Sequence, residues 1–226
     1  MSPSLLEVKD LGLSLSDRWL FRRVHFSVPP SSVVAITGPS GVGKTSLLRL
    51  LAQELNPCEG TVQSSLFVEK SICLIFQDLQ LANGASTLTN ALSGSLRRYS
   101  SLTTFWGFPK IEKQKAHDWL KEFGLEKKSK QWASTLSRGE RQRLAICRSL
   151  LAEPKLLLAD EPVASLDTSW ASRTLALLSD RQKQNGGSIV CSLHDEEQVQ
   201  KFADYVLRLD SSDPTRWKWE KITPVS

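Results

Sequence analysis

Hydrophobic and polar positions divide the chain into short apolar runs that are separated by turns. Runs of mostly apolar, often β-branched residues predict buried strands at 33–36, 72–76, 155–159 and 188–193, and a last strand at 205–209. Segments with helical periodicity lie between several of these strands. Because strands that alternate with helices form parallel sheets covered on both faces, the pattern predicts an α/β fold.

Two regions depart from this alternation. Before residue 29, apolar residues alternate with polar ones, which predicts short antiparallel strands. Residues 79–134 are rich in Ser and Thr and contain helical patterns near 88–96 and 111–123, which predicts an inserted helical subdomain. We therefore expect a single domain with a core of residues 1–78 and 135–210, a small antiparallel β part, the helical insertion and a short tail, 211–226.

A glycine-rich stretch follows the first predicted core strand and precedes a helix with an apolar face. It reads Gly38-Pro39-Ser40-Gly41-Val42-Gly43-Lys44-Thr45-Ser46. Glycines let the backbone N–H groups converge on one anion, and the helix N-terminus adds partial positive charge. Lys44 then reaches the outer phosphates of a nucleotide, and the Thr45 hydroxyl can ligate Mg²⁺. A plain glycine-rich surface turn is the alternative, but it does not explain why both flanks fit the motif.

Polar residues follow three of the other predicted strands. Asp160 and Glu161 end one strand, at the edge where open α/β sheets bind ligands. We expect Asp160 to hold Mg²⁺ directly or through water, and Glu161 to polarise an attacking water. Gln77 and His194 would lie at the same edge, where either could orient water or contact a terminal phosphate. For each of these two taken singly, a structural role is the simpler interpretation, but together at one edge they favour a functional site.

With these motifs in place, the chain resembles an ATP-binding cassette ATPase. Six motifs follow in the family's order: Gly38–Thr45 as Walker A, Gln77 as the Q-loop, Leu136–Glu140 as the signature, Leu156–Glu161 as Walker B, Ser165–Asp167 as the D-loop and His194 as the switch histidine. The resemblance implies a P-loop NTPase fold with a mostly parallel RecA-like sheet, and ATP and Mg²⁺ as cofactors. It implies Glu161, His194 and Gln77 as catalytic residues, and Thr45, Gln77 and Asp160 as metal ligands.

The resemblance also implies that the nucleotide site is shared between two copies of the chain. In a head-to-tail dimer, the Ser137 loop of one copy closes on the ATP held by Lys44 of the other. The residues that would act across this dimer are Ser137, Arg138, Gly139, Glu140 and Asp167. Membrane-spanning permease subunits are the further partners, with a substrate-binding protein as an indirect one, and nucleic acid is not expected. The implied location is the cytoplasmic face of the cell membrane.

The residues around the motifs indicate a narrower group within this family. Residues 157–167, 192–194 and 88–94 are similar to the corresponding segments of phosphonate import ATPases. We therefore expect the energy-coupling subunit of an importer for phosphonates or related phosphorus oxyanions. The alternatives are an importer or exporter of another solute, and a non-transport cassette ATPase that acts on DNA or ribosomes. The last class usually has a long coiled-coil insertion or two fused cassettes, and this sequence has neither.

Two departures from the family pattern affect the site. Arg138 and Glu140 stand in the signature where glycine and glutamine are commonest. The aromatic residue that stacks on adenine should fall near Leu15, but the nearest aromatic is Trp19. Trp19 could supply the stacking surface, adenine could pack on an aliphatic side chain, or Trp19 could be an ordinary packing residue. We interpret Trp217 and Trp219 as packing residues of the tail.

Composition adds little to these expectations. The 226 residues carry a net charge of +5, with a pI near 9.1, which is compatible with an anionic membrane surface or with nucleic acid and identifies neither. The basic run 127–130 is most simply a solvated turn. The four scattered cysteines predict buried free thiols and neither a metal site nor a disulfide framework. We see no secretion signal and no run of about 18 apolar residues that would span a membrane.

Overall fold

The computed structural model describes residues 4–99 and 107–222. The chain forms two compact units. The first contains the residues up to Leu74, Lys155–Pro162 and the residues from Thr168 onward, and the second contains Ile75–Pro154 and Val163–Asp167. The predicted helical insertion, 79–134, lies inside the second unit, which also includes residues 135–154.

The strands of the described residues are β1 (Leu6–Leu15), β2 (Arg18–Val28), β3 (Val33–Thr37), β4 (Glu59–Gln63), β5 (Ile72–Ile75), β6 (Leu156–Ala159), β7 (Ser188–Ser192), β8 (Tyr205–Leu209) and β9 (Trp217–Lys221). The α-helices are α1 (Lys44–Leu51), α2 (Thr87–Ser93), α3 (Lys110–Glu122), α4 (Arg138–Leu151), α5 (Thr168–Gln184) and α6 (Glu196–Phe202). Short 3₁₀ helices lie at Ser65–Phe67, Gly94–Arg98, Glu126–Lys128 and Ala133–Thr135.

The larger sheet has the strand order β5-β6-β7-β3-β8-β9. β7 pairs in parallel with both β6 and β3, and β3 pairs in parallel with β8, which confirms the predicted parallel core. The four strands β6, β7, β3 and β8 are almost wholly buried because they are covered by apolar helix faces and rich in Val, Ile and Leu. β7 lies between β6 and β3, so the carboxyl ends of these three strands are neighbours.

β9 was not predicted. The interpretation of 205–209 as the last strand was wrong, because β9 continues the sheet antiparallel to β8. Its sequence, WKWEK, is short and charged on one face. From the sequence alone, the segment therefore resembles a polar tail and is not recognised as a strand. The interpretation of Trp217 and Trp219 as packing residues is confirmed: Trp219 stacks on Tyr205 and on Phe26, with ring centroids 5.3 and 5.2 Å apart, and Trp217 packs edge-on against His25.

The first unit also contains a second, antiparallel sheet with the strand order β2-β1-β4. Val8 faces Phe26 on one side and Val62 on the other, and both pairings are antiparallel. This confirms the antiparallel strands predicted for the start of the chain. Apolar side chains of this sheet, the α1 helix and the larger sheet form one buried cluster. Helix α1 contributes the fully buried Leu47, Leu48 and Leu51.

The second unit is helical, as predicted. Ser137 caps the N-terminus of α4, and Glu140 reaches back to the Ser137 backbone, so the two residues form a capping box. Lys128 donates a hydrogen bond to Glu140 at 2.6 Å, so the basic run 127–130 is a 3₁₀ turn with a paired lysine and not an entirely solvated one. Glu112, which is 1% exposed, accepts hydrogen bonds from Arg98 and Tyr99.

The cysteines are free thiols, as predicted, but they are not all buried. Cys147 and Cys191 are buried, whereas Cys58 is exposed just before β4, with its sulfur 3.5 Å from the Ser14 N–H. Burial raises the pKa of the Cys191 thiol to about 12. In residues 4–99 and 107–222, no helix is both long and apolar enough to cross a membrane.

Candidate active site

The glycine loop occupies the turn between β3 and α1. Gly43 precedes the helix with a φ of +107°, and a Cβ placed there would lie 3.0 Å from the Phe21 ring. The position therefore requires glycine both for its backbone conformation and for its close neighbour. Lys44, the first residue of α1, is 7% exposed, and its Nζ donates hydrogen bonds to the carbonyls of Gly38 at 2.8 Å and Pro39 at 3.0 Å.

The Lys44 ammonium is thus held inside the loop. Burial lowers the pKa of Lys44, and attraction to Glu161 and Asp160 opposes that effect. The first N–H groups of α1 have no partner inside the helix, so they are directed into the same loop. An ammonium and a helix N-terminus together suit a polyanion such as the phosphates of a nucleotide.

A hydroxyl and a carboxylate meet beside this loop. Thr45 donates a hydrogen bond from Oγ1 to Oδ2 of Asp160 at 2.6 Å, although 115 residues separate them in the chain. Asp160 follows β6 and is 3% exposed. Thr45 and Asp160, which were each expected from the sequence to ligate Mg²⁺, are therefore in direct contact beside the loop.

These oxygens fit a magnesium ion in part. In the described part of the chain, no three His, Cys, Asp or Glu side chains come together as a metal cluster. Mg²⁺ is commonly held by one or two carboxylates together with substrate phosphates and water, and Thr45 and Asp160 are hard oxygen ligands of this kind. The donor set therefore suits an ion that arrives with a nucleotide.

Glu161 and His194 are adjacent at the same edge. Oε1 of Glu161 and Nε2 of His194 are 2.6 Å apart, with Glu161 half-buried and the imidazole exposed. Glu161 has a φ of +48°, which is uncommon for a residue other than glycine. The left-handed backbone turns the chain sharply after Asp160, so successive carboxylates point to different partners: Asp160 to Thr45 and Glu161 to His194.

A cavity of about 420 Å³ lies next to the glycine loop. Its lining includes Trp19, Leu20, Gly41, Val42, Ser212 and Pro214. The guanidinium of Arg22 lies 4.2 Å from the centre of the Trp19 ring and is itself held by two hydrogen bonds to Glu59, at 3.1 and 2.8 Å. Leu15, by contrast, is half exposed and does not line the cavity. Trp19 and the aliphatic Leu20 and Val42 thus all line this cavity beside the loop.

The signature residues lie in the second unit, at the start of α4. The Ser137 hydroxyl accepts a hydrogen bond from the Glu140 N–H at 3.3 Å, and Glu140 accepts one from the Ser137 N–H at 3.0 Å. A Cβ on Gly139 would lie 3.0 Å from the Ser165 carbonyl, so the signature and the predicted D-loop approach each other closely. Arg138 and Asp167 are exposed, as is Gln77, which follows β5 in a turn.

One side chain of the site was not singled out from the sequence. Ser192, at the end of β7, donates a hydrogen bond to Oδ1 of Asp160 at 2.8 Å and accepts one from the Glu161 N–H at 2.7 Å. The available signal was a serine inside an apolar strand, two residues before His194. Serine in a buried strand is common enough that this signal alone does not distinguish a site residue from a structural one.

Residues 21–164 of the chain match the family model described as ABC transporter. The chain is 36% identical over 202 residues to the phosphite import ATP-binding protein PxtA of Stutzerimonas stutzeri, an alignment that covers 85% of this chain and 71% of that protein. It is 35% identical over 203 residues to the phosphonates import ATP-binding protein PhnC of Hydrogenovibrio crunogenus, covering 83% of this chain and 73% of that protein.

Solved structures resemble the fold over almost its whole length. The structure of cbiO1 from Clostridium perfringens, part of the ABC transporter complex cbiONQ, is 28% identical, covers 96% of this chain and 88% of its own, and gives a TM-score of 0.78. The dimeric structure of a bacterial ABC transporter cassette is 23% identical, covers 97% of this chain and all of its own, and gives a TM-score of 0.82.

Proposed function

Because this chain belongs to the ABC transporter family, we propose that it is the ATP-hydrolysing, energy-coupling subunit of an importer for phosphorus oxyanions. The observation that carries the proposal is the arrangement of Asp160, Glu161 and His194 at the ends of the neighbouring strands β6 and β7, with Thr45 of α1 bonded to Asp160 beside the Lys44 loop. A phosphate-binding loop alone indicates a nucleotide. A glutamate paired with a histidine next to that loop provides the general base that ATP hydrolysis requires.

The loop residues bind and orient the nucleotide. Lys44 gives up its hydrogen bonds to the Gly38 and Pro39 carbonyls and donates instead to the β- and γ-phosphates. The backbone of Gly38–Ser46 surrounds the phosphates. Thr45 and Asp160 are the side chains that would hold Mg²⁺, and Gln77 is a third candidate ligand. A Mg²⁺ ion held there would supply positive charge that neutralises the phosphates.

Glu161 orients the attacking water and accepts its proton. His194 holds the Glu161 carboxylate through the 2.6 Å contact, and it would donate to the terminal phosphate once a nucleotide is bound. Asp160 stays with Thr45 and does not compete for the water, because the left-handed backbone at Glu161 separates the two carboxylates.

The base of the nucleotide occupies the cavity at Trp19. Its volume, about 420 Å³, lies within the range of small-molecule sites, and Gly41 and Val42 of the phosphate loop form part of its wall. Trp19 offers a ring for stacking, and Arg22, anchored by Glu59, fixes that ring's orientation.

A second copy of the chain completes each site. Ser137 and Gly139, at the N-terminus of α4, would contact the γ-phosphate held by the other copy, with Arg138, Glu140 and Asp167 beside them. ATP then stabilises the closed dimer, and hydrolysis releases it because the closed state is favoured only while the γ-phosphate is present. Motion of the two copies would drive permease subunits at the cytoplasmic face of the membrane.

Support for phosphonate or phosphite as the imported solute comes from the relatives, whose names assign import of these compounds to them. An importer of another solute remains the second candidate, because the solute is selected by the binding protein and the permease. Reconstitution with the partner permease and binding protein distinguishes the two. ATP hydrolysis stimulated by binding protein loaded with phosphonate or phosphite supports the first, and stimulation only by an unrelated solute contradicts it.

The enzymatic role is tested by Glu161→Gln. We expect this variant to bind ATP and to dimerise, but to hydrolyse ATP at least about 100-fold more slowly than the native chain, because the amide cannot accept the water proton. Hydrolysis is measured as phosphate release, and ATP binding by equilibrium fluorescence. Hydrolysis at close to the native rate would contradict the role of Glu161.

A further inference from the structure

We propose that Ser192 is a positioning residue that sets the relative orientation of Asp160 and Glu161 for ATP hydrolysis. The inference rests on the proposed function, since it concerns the same two carboxylates. Ser192 would touch neither nucleotide nor metal. It acts through the two acidic residues, to which its single hydroxyl is bonded at the same time.

The first bond fixes the Asp160 carboxylate. Oδ1 accepts from the Ser192 hydroxyl at 2.8 Å, and Oδ2 accepts from Thr45 at 2.6 Å. Two donors on opposite oxygens leave the carboxylate little freedom to rotate. In particular, the bond to Ser192 holds Oδ1 back against β7 and leaves Oδ2 directed to Thr45, where the metal would lie.

The second bond fixes the backbone of Glu161. Its N–H donates to the Ser192 hydroxyl at 2.7 Å, at the residue whose φ is +48°. A left-handed conformation at a non-glycine residue is unfavourable and persists only where surrounding contacts enforce it. The Ser192 hydroxyl is such a contact, and it thereby places the Glu161 side chain against His194.

Burial and strand order explain why one hydroxyl can serve both residues. Ser192 has no exposed surface and ends β7, the strand between β6, which precedes the two acids, and β3, which precedes the phosphate loop. Serine accepts and donates at once, whereas alanine or valine would do neither. Loss of the hydroxyl would leave the Glu161 N–H and Oδ1 of Asp160 each without this partner.

The same strand contains a matched control. Ser188 also has no exposed surface, accepts a backbone N–H (that of Ser32, at 3.1 Å) and donates to an oxygen (the Pro29 carbonyl, at 2.6 Å). It lies four residues earlier on β7, about 13 Å away along the strand. Ser188→Ala therefore removes an equivalent buried hydroxyl that has no contact with the acidic pair.

The test compares Ser192→Ala, Ser188→Ala and Ser192→Thr in the full chain. We expect Ser192→Ala to lower kcat for ATP hydrolysis about 10- to 100-fold, as for other lost hydrogen bonds to charged groups, with a smaller change in KM. It should also raise, several-fold, the Mg²⁺ concentration needed for half-maximal binding of a non-hydrolysable fluorescent ATP analogue. Ser192→Thr, which retains the hydroxyl, should recover most of both properties.

Thermal unfolding separates positioning from stability. We expect Ser192→Ala and Ser188→Ala to lower Tm similarly, while only Ser192→Ala alters kcat and the Mg²⁺ requirement. If Ser192→Ala does not fold, Ser192→Cys is measured in its place, since sulfur preserves the shape but is a weak donor and acceptor. Equal kcat and equal Mg²⁺ requirement in the Ser192 and Ser188 variants would overturn the inference. A native chain without ATP hydrolysis would instead overturn the proposed function.

Discussion

Glu161 shows how single residues determine this site. Its backbone is left-handed, its N–H is bonded to Ser192, and its carboxylate lies 2.6 Å from His194. Both contacts are made to the carboxyl end of β7, so the position of the Glu161 carboxylate depends on the strand that neighbours its own. Substitutions of its neighbours should therefore affect hydrolysis more than they affect ATP binding.

His194→Ala tests this at the neighbouring residue. We expect it to reduce ATP hydrolysis about 100-fold or more and to change ATP affinity less than about threefold, because in the proposed mechanism the histidine orients Glu161 and would contact only the terminal phosphate. His194 is exposed, so the fold should tolerate the change. Single-turnover hydrolysis and fluorescence titration measure the two effects. A large loss of affinity with an unchanged rate would contradict the assigned role.

Gly43→Ala tests the phosphate loop. The new Cβ would lie 3.0 Å from the Phe21 ring at a φ of +107°, so we expect a loss of ATP binding and a stability loss of about 1–3 kcal/mol. Gly41→Ala is the control, since Gly41 also has a positive φ, +77°, but a Cβ there would meet nothing within 4 Å. Denaturation in urea and ATP titration should rank Gly43→Ala as the more damaging substitution.

Secondary-structure elements differ in how well they can be predicted from the sequence. α4 was predictable to its first residue because Ser137 and Glu140 form a capping box, a local signal that no distant contact has to supply. β9 was not predictable, because its pairing with β8 and the stacking of Trp219 on Tyr205 involve residues that only the fold brings together. Elements defined by local chemistry were thus recognised, and an edge strand defined by tertiary contacts was missed.

Glu140→Gln tests the start of α4. The hydrogen bond from Lys128 lowers the pKa of Glu140 below its ordinary 4.5, so the ionised form is favoured in the folded state. This stabilisation is fully present above pH 4.5 and is lost as the pH falls through the lowered pKa. Glutamine keeps the capping acceptor but loses the ion pair, so we expect a loss of about 0.5–1 kcal/mol at pH 7 that disappears in acid. Urea denaturation across this pH range measures the difference in stability between the native chain and Glu140→Gln. A difference that persists in acid would contradict the explanation.

Trp219→Ala tests the role of β9. The half-buried indole stacks on two rings, one from β8 and one from β2, so we expect a stability loss of about 2–3 kcal/mol. Lys218→Ala, an exposed neighbour on the same strand, should change stability by less than about 0.5 kcal/mol. If Trp219→Ala lowers stability as little as Lys218→Ala is expected to, the stacking of β9 contributes little to the fold.

At the scale of the whole molecule, the sequence was sufficient for the fold class and for most of the site, because the P-loop, the acidic pair and His194 each follow a strand whose apolar run is plain. It was insufficient where one side chain serves two partners. Ser192 is an ordinary serine in the sequence, and only the strand order brings it between Asp160 and Glu161. The position of Trp19 beside a cavity next to the phosphate loop likewise became visible only in the fold.

The central claim is that each ATP site is completed by a second copy of the chain. Two inactive variants test it when mixed: Lys44→Ala, which lacks the phosphate-loop ammonium, and Ser137→Asp, which keeps a favourable helix cap but places a carboxylate against the γ-phosphate. In a mixed dimer, the Lys44 of one variant meets the Ser137 loop of the other, so one native site is restored.

ATP hydrolysis by the mixture is therefore the decisive measurement. We predict that each variant alone is inactive and that the equimolar mixture recovers a substantial fraction of native hydrolysis per dimer. Doubling the concentration of either variant alone is the control and should recover none. A mixture no more active than its separate components would contradict the claim that the site is shared between two copies.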